Sequence, residues 1–129
     1  MTSICIDRID HLVLTVADIE ATVDFYERVL GFRGVTYGNG RRALAFGRQK
    51  LNLHPAAAPI PPHAVRPCPG AADFCFVARD TIEGVLAHLA VCGVPIIEGP
   101  VRRTGALGPM TTVYLRDPDA NLVEIAVYD

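Results

Sequence analysis

Five side chains of this sequence could converge on a single ion: His11, Asn52, His54, Asp73 and Glu124. Each falls within a short apolar run. Imidazole and carboxylate together suit a divalent transition metal, namely Zn, Ni, Co, Fe or Mn. Strands would hold such donors more rigidly than loops. Downstream, Arg102-Arg103-Thr104 leads into Gly-Ala-Leu-Gly, a segment predicted to be flexible. Its Arg103 and Thr104 could close over a substrate and hold an anionic group. Tyr114 offers a hydroxyl that could orient a substrate or supply a proton. Asn52 could also serve as a substrate contact.

The elements that must position these groups follow from an internal repeat. Asp18 opens an apolar-periodic run that stops at Gly31, and Asp80 opens another that stops at Gly93, an offset of 62 residues in both cases. Each run predicts a helix. Asp can accept hydrogen bonds from the first-turn amides, and Glu83 stands three residues after Asp80 as in a capping box. Ile19, Val23, Tyr26 and Leu30 form one apolar stripe, and Ile82, Val85, Leu86 and Leu89 form another. Gly supplies the left-handed residue past each end.

A strand is predicted before each helix, over 9–16 and 71–78. Shorter strands follow over 33–37, 42–47 and 50–54 in the first copy, and over 96–101, 111–115 and 122–127 in the second. Alternation places Leu12, Leu14, Val16, Phe74 and Phe76 toward the helices. It places His11, Lys50, Asn52, His54, Asp73, Cys75 and Glu124 on the opposite faces. The fold class expected is α+β: two tandem βαβββ modules forming a curled mixed sheet around a metal-binding cleft. Residues 1–129 make one domain, with module 1 at about 5–56 and module 2 at about 71–129. The stretch between Pro55 and Pro69 holds six of the ten prolines and is predicted to link the modules.

Composition narrows the function. The chain has 129 residues, 50% hydrophobic and 20% charged, with a net charge of −2, which fits a folded domain rather than disorder. Neither that charge nor the distribution of basic residues favours nucleic acid. No apolar run is long enough to span a membrane. The opening residues lack the pattern of a signal peptide, so a cytoplasmic location is expected. The four cysteines show no C-x-x-C spacing and are predicted to be reduced structural thiols. There is no dinucleotide or P-loop motif. The only serine lies at position 3, which argues against a serine hydrolase. A half-buried Glu124 would need a cation beside it, a metal or an arginine. His11 could instead be a hydrogen-bonded core histidine.

The segment IDHLVLTVADIEATVDFYERVLGF (9–32) resembles the opening of the vicinal oxygen chelate superfamily, and YLRDPDANLVEIAVYD (114–129) resembles its closing segment. That superfamily includes glyoxalase I, fosfomycin-resistance transferases, extradiol dioxygenases and bleomycin-resistance proteins. KLNLH (50–54) and EGPVRRTGALGP (98–109) are similar to a subgroup of small glyoxalase-domain proteins, some labelled virulence proteins. The resemblance implies that His11 and Glu124 are metal ligands. It also implies that Asp73 stands where the superfamily usually has histidine, and Asn52 where glyoxalase I usually has glutamate. His54, two residues on and facing the same way, would be the third ligand after a register shift, with Asp73 or water completing the shell. The activity implied is that of a metal-dependent glyoxalase-I-like lyase or isomerase with Glu124 as base, acting on a small substrate with vicinal oxygens. The alternatives are an extradiol dioxygenase and a non-catalytic small-molecule-binding protein of the bleomycin-resistance type. The resemblance also implies a homodimer.

Overall fold

The computed structural model describes residues 2–129. Its elements are β1 (His11–Val16), α1 (Ile19–Leu30), β2 (Arg33–Tyr37), β3 (Arg41–Phe46), β4 (Gln49–Pro55), β5 (Asp73–Val77), α2 (Ile82–Val91), β6 (Glu98–Gly105), β7 (Gly108–Arg116) and β8 (Leu122–Tyr128). The expected α+β class and βαβββ repeat are both present. Two four-stranded sheets form with equivalent orders, β1-β4-β3-β2 and β5-β8-β7-β6. In each, the first strand runs parallel to the last strand of its own module and the remaining neighbours are antiparallel. The two sheets do not merge into one closed sheet. No helix among the described residues is long and apolar enough to cross a membrane.

Local chemistry explains the helix ends. The Asp18 carboxylate accepts from the Ala21 amide at 3.0 Å, and Gly31 closes α1 at φ 68°. The second helix begins one residue later than expected. Thr81, not Asp80, is the cap, and its hydroxyl accepts from the Gly84 amide at 3.1 Å. Two adjacent cap-competent residues made that choice ambiguous in the sequence.

Segment 102–108 is a correction. Arg102, Arg103 and Thr104 belong to β6, which forms a hairpin with β7 through the turn at 105–108. The charges and glycines there look loop-like, but β6 is the outer strand of its sheet, and outer strands tolerate charge. Arg102 pairs with Asp129 at 2.6 Å, and Arg103 with Glu98 at 3.2 Å. The cysteines are free, as expected, but Cys5, Cys68 and Cys75 are exposed rather than buried.

The helix-facing sides of both sheets share one core. Leu14, Val16, Leu44, Leu51 and Leu53 pack in the same cluster as Val113, Leu115, Val123 and Ile125, with residues of both helices among them. Phe32 stacks on Phe46 at 4.4 Å, and Phe76 of the second module meets both rings edge-on. Burying this apolar surface is the main force joining the modules. A buried polar clasp adds direction. The Tyr26 hydroxyl on α1 donates to Asp117 at 2.8 Å, across 91 residues of sequence. The other faces of the two sheets point away from the helices; Asn52, His54 and Ala126 on them are buried, while Val13 and Val77 on β1 and β5 are open. Val13 is 43% exposed there and Val77 58%.

Candidate functional site

The strand ladders place every candidate. In the first module His11 lies beside Lys50, Val13 beside Asn52, and Thr15 beside His54. In the second, Asp73 lies beside Leu122 and Cys75 beside Glu124. Under the repeat, His11 therefore corresponds to Asp73, and Asn52 to Glu124. His54 corresponds to Ala126. The β1–β4 ladder is regular through six successive pairs, so no register shift brings His54 to the level of His11. His54 sits four residues further along the sheet.

Each outward face thus offers a matched pair of donors. On the first, His11 is exposed and its Nδ1 lies 2.8 Å from an Asp10 carboxylate oxygen. That hydrogen bond uses Nδ1 and leaves Nε2 of this exposed ring available, as in histidines that ligate metals. It also holds the Asp10 carboxyl below its ordinary value. The buried Oδ1 of Asn52 has no hydrogen-bond partner. On the second face Asp73 is exposed and Glu124 half-buried. Partial desolvation against the sheet, helped by the neighbouring Glu124 charge, pushes the surface Cys75 thiol up to about 11, so it stays protonated at neutral pH.

Asp73, Glu124, Arg103 and Tyr114 line one hollow of about 450 Å³ together with Glu98 and Arg116. Tyr114 is the cross-strand neighbour of Glu124. Its hydroxyl accepts from Arg103 Nε at 3.2 Å, which leaves its own proton free to point into the hollow. Thr104, next to Arg103 on β6, is exposed and does not line this hollow. No three His, Cys, Asp or Glu side chains cluster within one chain among the described residues. His11 and Asn52 stand on one outward face, Asp73 and Glu124 on the other.

His54 has other neighbours. Its Nε2 faces an Arg41 guanidinium nitrogen at 3.4 Å, and its Nδ1 faces the Ile60 amide at 3.4 Å. Burial first, then the charges of Arg41 and His63, hold its pKa below the ordinary value. The unfolded chain therefore takes up this proton more readily than the folded one. Stability should fall as pH drops through about 6.5 and level off below the folded pKa. His54→Gln should flatten that part of the profile, measured by urea unfolding between pH 5 and 8. An unchanged slope would show that His54 does not set it.

A group of cations also stands on the first face. Lys50 Nζ lies 3.7 Å from the Tyr37 ring centroid, and the Arg41 guanidinium 5.3 Å from the same ring. Alternation already put Lys50 on this side, but its meeting with Tyr37 needs the β2–β3–β4 register. Sequence reasoning missed Asp10, although it directly precedes His11.

Residues 8–125 match the model of the Glyoxalase/Bleomycin resistance protein/Dioxygenase superfamily, and the chain belongs to that family. Among its relatives, the virulence protein STM3117 of Salmonella typhimurium is 54% identical over 95% of this chain and 85% of its own. The crystal structure of that protein superposes with a TM-score of 0.96 over 98% of this chain and 100% of its own. The glyoxalase domain-containing protein RDO1 of Mycosarcoma maydis is 49% identical over 93% of this chain and 68% of its own. A lactoylglutathione lyase from Agrobacterium tumefaciens shares the fold, with a TM-score of 0.72 at 24% identity over 95% of each chain.

Proposed function

We propose that this protein is a metal-dependent isomerase or lyase of the glyoxalase type, acting on a small substrate with adjacent oxygens. The observation that carries the reading is the pairing of uncommitted donors at equivalent ladder positions. His11 and Asn52 would hold the ion from one face, and Asp73 and Glu124 from the other. The fit is chemical: an outward imidazole nitrogen, an orphaned amide oxygen and two carboxylates are the donors a borderline divalent ion accepts. Because no three of the His, Asp and Glu donors cluster within one chain among the described residues, the complete site would form where two chains meet, with the first face of one opposite the second face of its partner. Residues 1–129 then act as one domain with a single kind of site.

When bound, the metal supplies Lewis-acid stabilisation of negative charge on a substrate oxygen. Glu124, when not engaged by the ion, would accept the proton next to the substrate carbonyl and return it to the adjacent carbon. Tyr114, its hydroxyl fixed by Arg103, donates a hydrogen bond to the developing oxyanion. Arg103, anchored by Glu98 and the Arg102 carbonyl, would add positive charge beside the substrate. Asp10 keeps His11 in one tautomer. His54, held by Arg41 and four residues from His11, stays outside the ligand set. That leaves a single imidazole, which favours this reading over a dioxygenase site of two histidines and a carboxylate.

Metal analysis of tag-free protein by elemental mass spectrometry tests the reading. Wild type should hold about one Zn, Ni, Co, Fe or Mn per chain, and His11→Ala and Glu124→Ala should each lose most of it. Protein that takes up no metal even on reconstitution would instead point to a protein that sequesters a small molecule between its outward faces. The exposed Val13 and Val77 would suit that second role.

A further inference from the structure

The first outward face carries two cations with no carboxylate in contact, although the Lys50 charge is felt by Asp10. Arg42 pairs with Glu20 on the helix side. Arg41 and Lys50, on the other side, make no ion pair among the described residues. Arg41 is half-buried, and its Nε is buried without a hydrogen-bond partner. Its guanidinium instead approaches His54 Nε2, and an imidazole carries no negative charge in either protonation state, so the contact does not cancel its charge. A half-buried guanidinium without a counter-charge is costly.

The backbone register explains how Lys50 reaches the same place. Lys50 lies on β4 beside Ala45 of β3, and Tyr37 lies on β2 beside Arg41 of β3. To bring Nζ within 3.7 Å of the Tyr37 ring, the Lys50 stem must cross β3, whose residues on that side, apart from Arg41 at its start, are Ala43 and Ala45. Larger side chains there would block the crossing. Two cations thus flank one aromatic ring above an alanine floor, and Ala43 of that floor lies beside Asn52. The Tyr37 ring gives each cation a weak partner that a ligand's charge can outcompete.

We propose that Arg41, Lys50 and Tyr37 form an anion subsite that binds a carboxylate or phosphate of the substrate. This rests on the reading of the site above and adds a substrate class to it: a small anionic compound whose charged end lies on the first face while its adjacent oxygens reach His11 and Asn52. Arg41 offers a planar pair of donors to such a group, and Lys50 a mobile point charge.

The test is calorimetric titration of succinate, inorganic phosphate and uncharged succinamide into wild-type, Arg41→Gln, Lys50→Gln and Glu124→Gln protein, with metal content measured on each. At least one anion should bind wild type, more weakly as salt rises, and lose about tenfold or more of its affinity in both Arg41→Gln and Lys50→Gln. Succinamide should not bind. The tighter anion identifies the group as carboxylate or phosphate. Glu124→Gln should retain the anion while losing metal, which separates this subsite from direct chelation by the ion. Anion binding to wild type that holds no metal would leave the subsite standing and remove the metal reading. The proposal is overturned if neither anion binds, or if both cation variants bind like wild type. Lys50→Gln alters a surface side chain and keeps the test decisive if Arg41→Gln does not fold.

Discussion

Asp117→Ala is expected to remove about 3–5 kcal/mol of stability, a large share of what a domain of this size possesses. The carboxylate is buried and accepts four hydrogen bonds. The Tyr26 hydroxyl and Asn121 Nδ2 reach one oxygen at 2.8 Å, and the Asp119 and Asn121 amides reach the other at 2.9 Å. Tyr26 and Asn121 are wholly buried, so water cannot readily replace what alanine removes. Each stranded donor carries a desolvation penalty of about 1–3 kcal/mol. Asn121 is itself a junction, since its Oδ1 accepts from the Ala72 amide at 2.9 Å at the start of β5. Tyr26→Phe deletes only one of the four bonds and should cost about 1–2 kcal/mol. Urea unfolding of both variants checks this. Equal losses would mean that the backbone amides contribute nothing and the clasp is merely the tyrosine bond.

The second large effect concerns how the site is assembled. His11→Ala and Glu124→Ala should each be nearly metal-free alone. Unfolded together, mixed in equal amounts and refolded, they should recover about a quarter of the wild-type metal content, because half of randomly paired dimers are mixed and each mixed dimer has one intact site. The same arithmetic applies to any activity found. Recovery requires that His11 and Glu124 of one site come from different chains, as the proposed two-chain site has them. No recovery from variants that still dimerise would place all ligands of a site within one chain.

Much of this was legible in the sequence, and the limits have physical causes. The 62-residue offset, the apolar stripes and the strand alternation are local signals, and they correctly separated helix-facing Leu14 and Leu51 from outward His11 and Lys50. Phe25 and Phe32 lie in the core, and Phe46 and Phe74 pack against it. Where signals competed, the sequence misled. Arg102 and Arg103 look like loop residues until their partners Asp129 and Glu98 are seen. Cys75 sits in an apolar run, yet alternation turns it outward. The Tyr26–Asp117 bond spans 91 residues and leaves no local trace. The relation of His54 to His11 depended on one ladder register, which alternation cannot fix, because a slip of two residues keeps every side chain on the same face.

The shared core also constrains how the chain can be made. As the polypeptide emerges from a ribosome, residues 11–55 contain every strand of the first sheet, and α1 among them, yet they cannot complete a fold. The apolar side of that half lies against Val113, Leu115, Val123 and Ile125, and its tyrosine awaits Asp117. Until those later residues have been synthesised, the early half must persist as a partly ordered intermediate with a sticky flank. Closure then depends on contacts far apart in sequence, which form slowly. The nascent chain therefore passes through a window of vulnerability to aggregation that ends only when β8 has left the exit tunnel.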